Sequence, residues 1–274
     1  VREPGAGLLF GFAPDAQVRA DALALDPDSL RYTLVHGGAT LGPVALPVSG
    51  RHNALNSLAA AAVALSLGIP FPMLADALAS APLPRRRFER VRTRPDVTVV
   101  SDYAHHPSEI RALLDMARRR PHRRLLGLFQ PHRYTRTRAL ADQFPTSFRG
   151  LDELVLVPVY AASETPLVGG RIWDLHARIR REEDLPLLLA DTLPAAWGYL
   201  RTRLRPGDLL LIIGAGDVEQ AAGWAAASLT AGDGELRGEG QPLAEELAGL
   251  GLRETTVRVD EPLARRTTLG VGGT

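Results

Sequence analysis

The chain has 274 residues, 45% of them hydrophobic, and a formal net charge of +1, which is material for a sizeable core and about two domains. Its arginines alternate with acids and no run of about 18 apolar residues occurs, so nucleic acid and membrane are unexpected partners and small anions are expected ones. There is no cysteine and no lysine, which removes disulfides, thiolate zinc sites, cysteine nucleophiles and every step needing a lysine amine, the P-loop lysine included.

Residues 7–12, 31–35 and 42–48 read as short strands, with Gly37 and Gly38 as a turn. Residues 51–67 carry alanine and leucine at helical spacing and stop at Gly68, and Pro70 and Pro72 restart a second helix that ends near Ser80. Residues 81–87 read as an interdomain linker, because Pro82 and Pro84 stiffen it and Arg85, Arg86 and Arg87 are too many charges to bury together. Strand-like runs at 97–101, 124–129, 154–159, 186–189 and 208–213 then alternate with helical segments at 108–119, 137–146, 171–182, 192–203 and 217–229. That alternation predicts a doubly wound, Rossmann-like α/β domain with a parallel sheet and right-handed crossovers. After Thr230 the composition turns to glycine and charge, a linker before a short helix near 243–249 and a strand near 255–259. The expected domains are therefore 1–82, 83–230 and 231–274.

Open parallel sheets bind ligands beyond the carboxyl ends of their strands, and the unusual polar residues fall there. They are Asp102 to Pro107, Gln130 to Arg136, Tyr160 to Glu164, and Gly214 to Asp217. Asp102 is either a ligand or the cap of the helix that follows. Adjacent histidines such as His105 and His106 point apart, and no metal is expected there. Arg133 and Arg136, three apart on one helical face, suit a carboxylate or phosphate; the alternative is a solvated helix start, where cations oppose the macrodipole. Gly214-Ala215-Gly216 follows an apolar strand as a dinucleotide fingerprint would, but Glu219 stands where the third glycine belongs, so a tight turn capped by Asp217 is the plainer reading. Asn53 and Asn56 either cap their helix or present amides suited to the edge of adenine.

The runs at 50–64 (GRHNALNSLAAAAVA), 85–89 (RRRFE), 101–110 (SDYAHHPSEI), 129–140 (FQPHRYTRTRAL) and 214–217 (GAGD), in this order and spacing, resemble the Mur ligase superfamily over about residues 1–230. The loops at 102–107 and 129–138 resemble its branch that joins L-alanine to UDP-N-acetylmuramate. The resemblance implies a cytoplasmic, ATP-dependent, amide-forming ligase of cell-wall precursor synthesis. Residues 1–82 would close an α/β P-loop ATPase domain and residues 83–230 would form the C-terminal Rossmann-like domain, with the P-loop and the Mg2+ ligands ahead of Val1. It implies Asn53 and Asn56 at the adenine, Arg87 at the ATP phosphates and Asp102 at the ribose. Tyr103, His105, Arg133 and Arg136 would form the L-alanine pocket, the arginines on its carboxylate. No catalytic residue and no metal ligand is carried over onto this chain. Ser163 departs from the family, which often has glycine there.

Residues near 242–274 resemble the opening of the UDP-N-acetylenolpyruvoylglucosamine reductase family, which implies FAD and a ligase–reductase fusion; the alternative is a disordered tail. Val1 in place of methionine and a Gly-Gly-Thr ending are expected of a piece of a longer chain. Two other readings stay open: a non-catalytic nucleotide or amino-acid binding module, and an NAD-dependent oxidoreductase resting on Gly214 to Gly216 alone.

Overall fold

The computed structural model describes residues 7–82 and 84–229 and the backbone of Arg258–Val259. The helix expected near 243–249 and the rest of the reductase-like run lie outside the described residues. The chain divides into two compact units: the described residues up to Arg87 with Arg111–Pro121, and Phe88–Ile110 with the described residues from His122 onward.

In the first unit, β1 (Phe10–Gly11), β2 (Val18–Leu25), β3 (Leu30–His36) and β4 (Ala39–Leu46) form one sheet in that order, antiparallel except for the β1–β2 pair. Gly37 and Gly38 have φ of 57° and 85°, which the two-residue β3–β4 hairpin requires. β2 was not expected from sequence. Its residues, VRADALAL, include three alanines, of which only Ala20 is buried, and alanine is a weak strand former. α1 (Arg51–Ser66) and α2 (Phe71–Ser80) cover the sheet: Ala54, Leu58, Ala61 and Leu74 join Leu30, Tyr32, Leu34 and Val44 in one buried cluster. The buried hydroxyls of Tyr32 and Ser57 satisfy each other at 2.9 Å.

The second unit is a seven-stranded sheet. Its strands are β5 (Glu89–Val91), β6 (Thr98–Asp102), β7 (Arg124–Phe129), β8 (Glu153–Leu156), β9 (Leu187–Leu189), β10 (Asp208–Ile213) and β11 (Arg258–Val259), in the order β11-β9-β8-β7-β10-β6-β5. β6 to β10 are mutually parallel, and β5 and β11 are antiparallel edges. Between the strands lie α3 (Pro107–Arg118), α4 (Tyr134–Ala139), α5 (Phe144–Ser147), α6 (Ile172–Glu182) and α7 (Leu193–Arg203), and α8 (Gln220–Ser228) follows β10. Strands covered on both faces read as unbroken apolar runs, and β10 is buried at every residue.

One face of the sheet, with Leu126, Leu128, Val155, Leu210 and Ile212, packs against Trp197 and Leu200 of α7 and Ala221 and Ala225 of α8. On the other face Phe129 meets Phe144 and Phe148, with ring centroids 5.7 Å and 5.1 Å away. Helices on both faces make the domain doubly wound, as the strand and helix alternation requires. The single helix expected over 137–146 is instead two short ones, because Pro145 can sit in the first turn of α5 but not inside a continuous helix.

Strand β10, last of the parallel five in sequence, lies between the first two. The direction of winding therefore reverses beside β10, and a reversal opens a crevice at the carboxyl ends. The amino-end rim is tied off. Asp208, 2% exposed, accepts hydrogen bonds from Arg124 Nε at 3.0 Å and from the Arg205 backbone N–H at 2.8 Å.

Candidate functional site

Four loops leave the carboxyl ends of the adjacent strands β8, β7, β10 and β6, and the backbone laces them together. Gln130 N–H donates to Ile213 O (3.0 Å), Gly214 N–H to Asp102 O (3.1 Å), and Val157 N–H to Phe129 O (3.2 Å). Further out, Tyr160 N–H donates to Pro131 O and Arg133 N–H to Tyr160 O, both at 2.8 Å.

Side chains brace the same shelf. Gln130, 6% exposed, donates from Nε2 to Asp217 Oδ1 (2.6 Å) and accepts from Val218 N–H on Oε1 (3.1 Å). A buried amide with both ends satisfied fixes two loops at once. Gly214 has φ of 147°, and a Cβ there would lie 2.8 Å from Gln130 O. At Gly216 a Cβ would meet Gln130 Oε1 and Tyr160 Cγ at 2.5 Å each. These glycines make room for Gln130 and Tyr160, which accounts for them without a dinucleotide. Asp217 opens a 3-10 turn (Asp217–Glu219), and its carboxylate accepts from Gln130, so it braces the shelf where a cap was expected.

In the loop after β6, Asp102 is 8% exposed and accepts on Oδ1 from Ala104 N–H and on Oδ2 from Phe88 N–H, both at 2.8 Å. It thereby holds Phe88, whose φ is 51°, against the strand end. Glu109, four residues beyond His105, accepts on Oε2 from the backbone N–H groups of His105 (2.9 Å) and His106 (3.1 Å). Burial raises its pKa, but those two donors and the two imidazoles outweigh burial and hold the carboxyl below its ordinary value. Sequence reasoning passed over Glu109; the available signal was a carboxylate at the N3 position of the helix opening at His106–Pro107. His105 Nδ1 faces Tyr103 O at 2.9 Å, which requires hydrogen on Nδ1 and leaves Nε2 a lone pair. Burial first, then the charges of Arg136 and His106, lowers the His105 pKa and favours its neutral form.

In the loop after β7, the rings of His105 and His132 are 5.7 Å apart, and His132 stacks on Tyr160 with centroids at 5.5 Å and planes at 21°. Tyr103 meets His105 edge-on at 5.6 Å. Arg133 has φ of 70°, a strained value for arginine, and is held by its N–H on Tyr160 O and by its carbonyl, which accepts from Thr137 Oγ1 at 2.8 Å. Its side chain is exposed, while that of Arg136 is half-buried and donates from Nη1 to His132 Nδ1 at 3.0 Å. Glu164, from the loop after β8, accepts from Thr135 N–H (3.0 Å) and Thr135 Oγ1 (2.7 Å). Those two bonds, with the charge of Arg133, hold its carboxyl below the ordinary value. Ser163 has φ of 70°, a conformation glycine takes more readily, in keeping with the glycine expected at that position.

The structure thus brings Tyr103, His105, Arg133 and Arg136 onto two neighbouring loops, with Asp102 at the base of the first. Asn53, Asn56 and Arg87 belong to the other unit. Asn53 donates from Nδ2 to Ser49 O at 2.7 Å and keeps its side-chain oxygen as an acceptor, while Asn56 and Arg87 are exposed. The described residues include no group of three or more His, Asp or Glu able to hold a metal, and no helix long and apolar enough to cross a membrane.

A doubly wound sheet with a cationic rim at its switch point places an anion site beyond the carboxyl ends of its strands. Residues 86–216 match the family model described as Mur ligase, glutamate ligase domain, and the chain belongs to the Mur ligase family. The chain is 41% identical over 214 residues to the UDP-N-acetylmuramate–L-alanine ligase of Anaeromyxobacter sp. (strain Fw109-5), covering 77% of this chain and 46% of that one. It is 38% identical over 234 residues to the enzyme of the same name from Syntrophobacter fumaroxidans, covering 83% and 50%. The chain therefore spans about half the length of the curated relatives it matches. The crystal structure of UDP-N-acetylmuramate–alanine ligase from Thermotoga maritima shares the fold, with a TM-score of 0.63 at 24% identity over 80% of this chain and 46% of that one.

Proposed function

We propose that this chain supplies the nucleotide rim and the amino-acid pocket of a cytoplasmic, ATP-dependent ligase that joins L-alanine to UDP-N-acetylmuramate. The observation that carries it is the convergence of Arg133, Arg136, His105 and Tyr103 on adjacent strand-end loops, in a chain about two-fifths identical to ligases of that name.

Two guanidiniums take the L-alanine carboxylate, with the His105 and Tyr103 rings on the neighbouring loop. Fixing the carboxylate aims the amine. The muramoyl carboxylate, once phosphorylated by ATP with release of ADP, is attacked at its carbonyl carbon by that amine in its unprotonated form; the C–N bond forms, the C–O bond to phosphorus breaks with its electron pair going to the departing phosphate, and the proton shed by nitrogen passes to that phosphate or to water. The pocket contributes position to this step, and position alone accounts for a large part of such barriers. On the nucleotide side, Asn53 offers its free carboxamide oxygen to the adenine amino group, with Asn56 one helical step on. Asp102 is the carboxylate assigned to the ribose hydroxyls, and Arg87 offers an exposed cation to phosphate. The described residues hold no group of three or more His, Asp or Glu that could take Mg2+. The 242–274 run extends the proposal, on sequence alone, to a fused FAD-dependent reductase.

Calorimetric titration of the chain with L-alanine tests this. Saturable binding is expected, weakened about tenfold or more in Arg133→Ala while ATP binding is unaltered. Equal affinity of the variant for L-alanine would remove Arg133 from the pocket, and binding of NADH in place of ATP would overturn the proposal.

A further inference from the structure

Arg136 is not left to find its own direction at the rim. Its Nη1 donates to His132 Nδ1 at 3.0 Å and more weakly to His132 O at 3.4 Å. The imidazole is itself fixed, stacked on Tyr160 and carried on a backbone that bridges Tyr160 in parallel register. A guanidinium has donors and no acceptor, so the bond requires a lone pair on Nδ1 and a hydrogen on Nε2. His105 has the opposite arrangement, its Nδ1 facing the Tyr103 carbonyl. Two neighbouring histidines are thus held in opposite tautomers by different partners.

We propose that His132 is a positioning residue whose Nδ1 lone pair aims the Arg136 guanidinium at the ligand carboxylate, so that proton uptake by His132 releases Arg136 and weakens carboxylate binding. The proposal rests on the amino-acid pocket argued above. Charge sets the range. The groups facing His132 are Arg133 and Arg136 from its own segment, His105 from the loop after β6, and Tyr160 and Glu164 from the loop after β8. Burial first, then Arg136, His105 and Arg133, disfavours the imidazolium, and Glu164 opposes them without prevailing, so the pKa lies below the ordinary 6.5. Arg136 is therefore held through neutral pH, and the hold is lost as pH falls through that lowered pKa.

The test is nitrogen-15 NMR of the labelled 274-residue chain, following the His132 ring and the Arg136 side chain from mildly alkaline to mildly acidic pH. Expected are a lone-pair signal at Nδ1, a hydrogen at Nε2, and an Arg136 resonance that moves with the His132 midpoint. Hydrogen on Nδ1, or an Arg136 signal indifferent to that midpoint, overturns the proposal. L-alanine titration of two variants supplies a second arm. His132→Phe keeps a ring against Tyr160 but has no acceptor, and is expected to lose about tenfold in L-alanine affinity. His132→Asn restores a side-chain oxygen near the Nδ1 position and cannot titrate; affinity should recover and the pH dependence assigned to His132 should vanish. Undiminished affinity in the Phe variant, or an unchanged pH profile in the Asn variant, counts against the role. Should L-alanine fail to bind the wild-type chain at any pH, the pocket reading falls, while the ring and guanidinium signals still decide whether His132 sets Arg136.

Discussion

At the residue scale, two glycines that look alike in the sequence are glycine for different reasons. Gly214 needs its backbone angle as well as space. Gly216 has a negative φ, −94°, and there Gln130 and Tyr160 occupy the place of a side chain. Gly216→Ala should cost about 1–3 kcal/mol through forced displacement of a packed ring, which urea denaturation of the chain would measure. Glu109 makes the second residue-scale prediction. Its folded pKa lies below the ordinary 4.5, so its contribution to stability is fully present above that value and is lost as pH falls through the folded pKa. The stability difference between wild type and Glu109→Gln should be constant at neutral pH and shrink on acidification; a difference that grows with acid would show the sign to be wrong. The arginine run was legible as a cationic segment, but its geometry was not: Arg133, with φ of 70°, precedes α4, so the shared helical face expected for Arg133 and Arg136 does not form. The contacts of Gln130 and Glu164 were not readable, since they form between loops far apart in sequence, whereas those of Glu109 are local and their signal was a carboxylate in the third position of a helix.

At the scale of elements, the strongly apolar strands β6, β7, β8 and β10 were legible because burial on both faces leaves no alternation to misread. β2 was missed for the converse reason, an alanine-rich composition that reads as helix. The division of 137–146 into α4 and α5 was signalled by Pro145, which the amphipathic pattern overshadowed. α5 has only four residues and cannot persist through its own hydrogen bonds; its anchor is Phe148, fully buried between Phe129 and Phe144. Phe148→Ala should destabilise the second unit by about 3–5 kcal/mol and melt this segment with it. Hydrogen exchange at residues 144–148 would report the loss, and protection equal to the wild type would exclude the anchoring role.

At the scale of the molecule, alternation of strands and helices announced the fold class, yet periodicity carries no information on which strand lies beside which. The place of β10 is a tertiary fact. So is the contact grouping of Arg111–Pro121 with the earlier residues, which no linker composition announced. The whole-molecule prediction concerns turnover. A chain with no lysine lacks the phosphate-gripping residue of a P-loop, and the 274 residues alone should bind L-alanine without forming UDP-N-acetylmuramoyl-alanine from ATP; product formation above background in a coupled phosphate assay would refute it.

The central seat of β10 has a consequence for biosynthesis. Leu209 pairs with Thr98 on one side and with Leu125 on the other, so the first two parallel strands share no hydrogen bond with each other. Until residues 208–213 have left the ribosome, both present raw edges inviting adventitious pairing. Completion of the sheet therefore waits for that segment, and a nascent polypeptide stalled upstream of it keeps two strand edges open to aggregation.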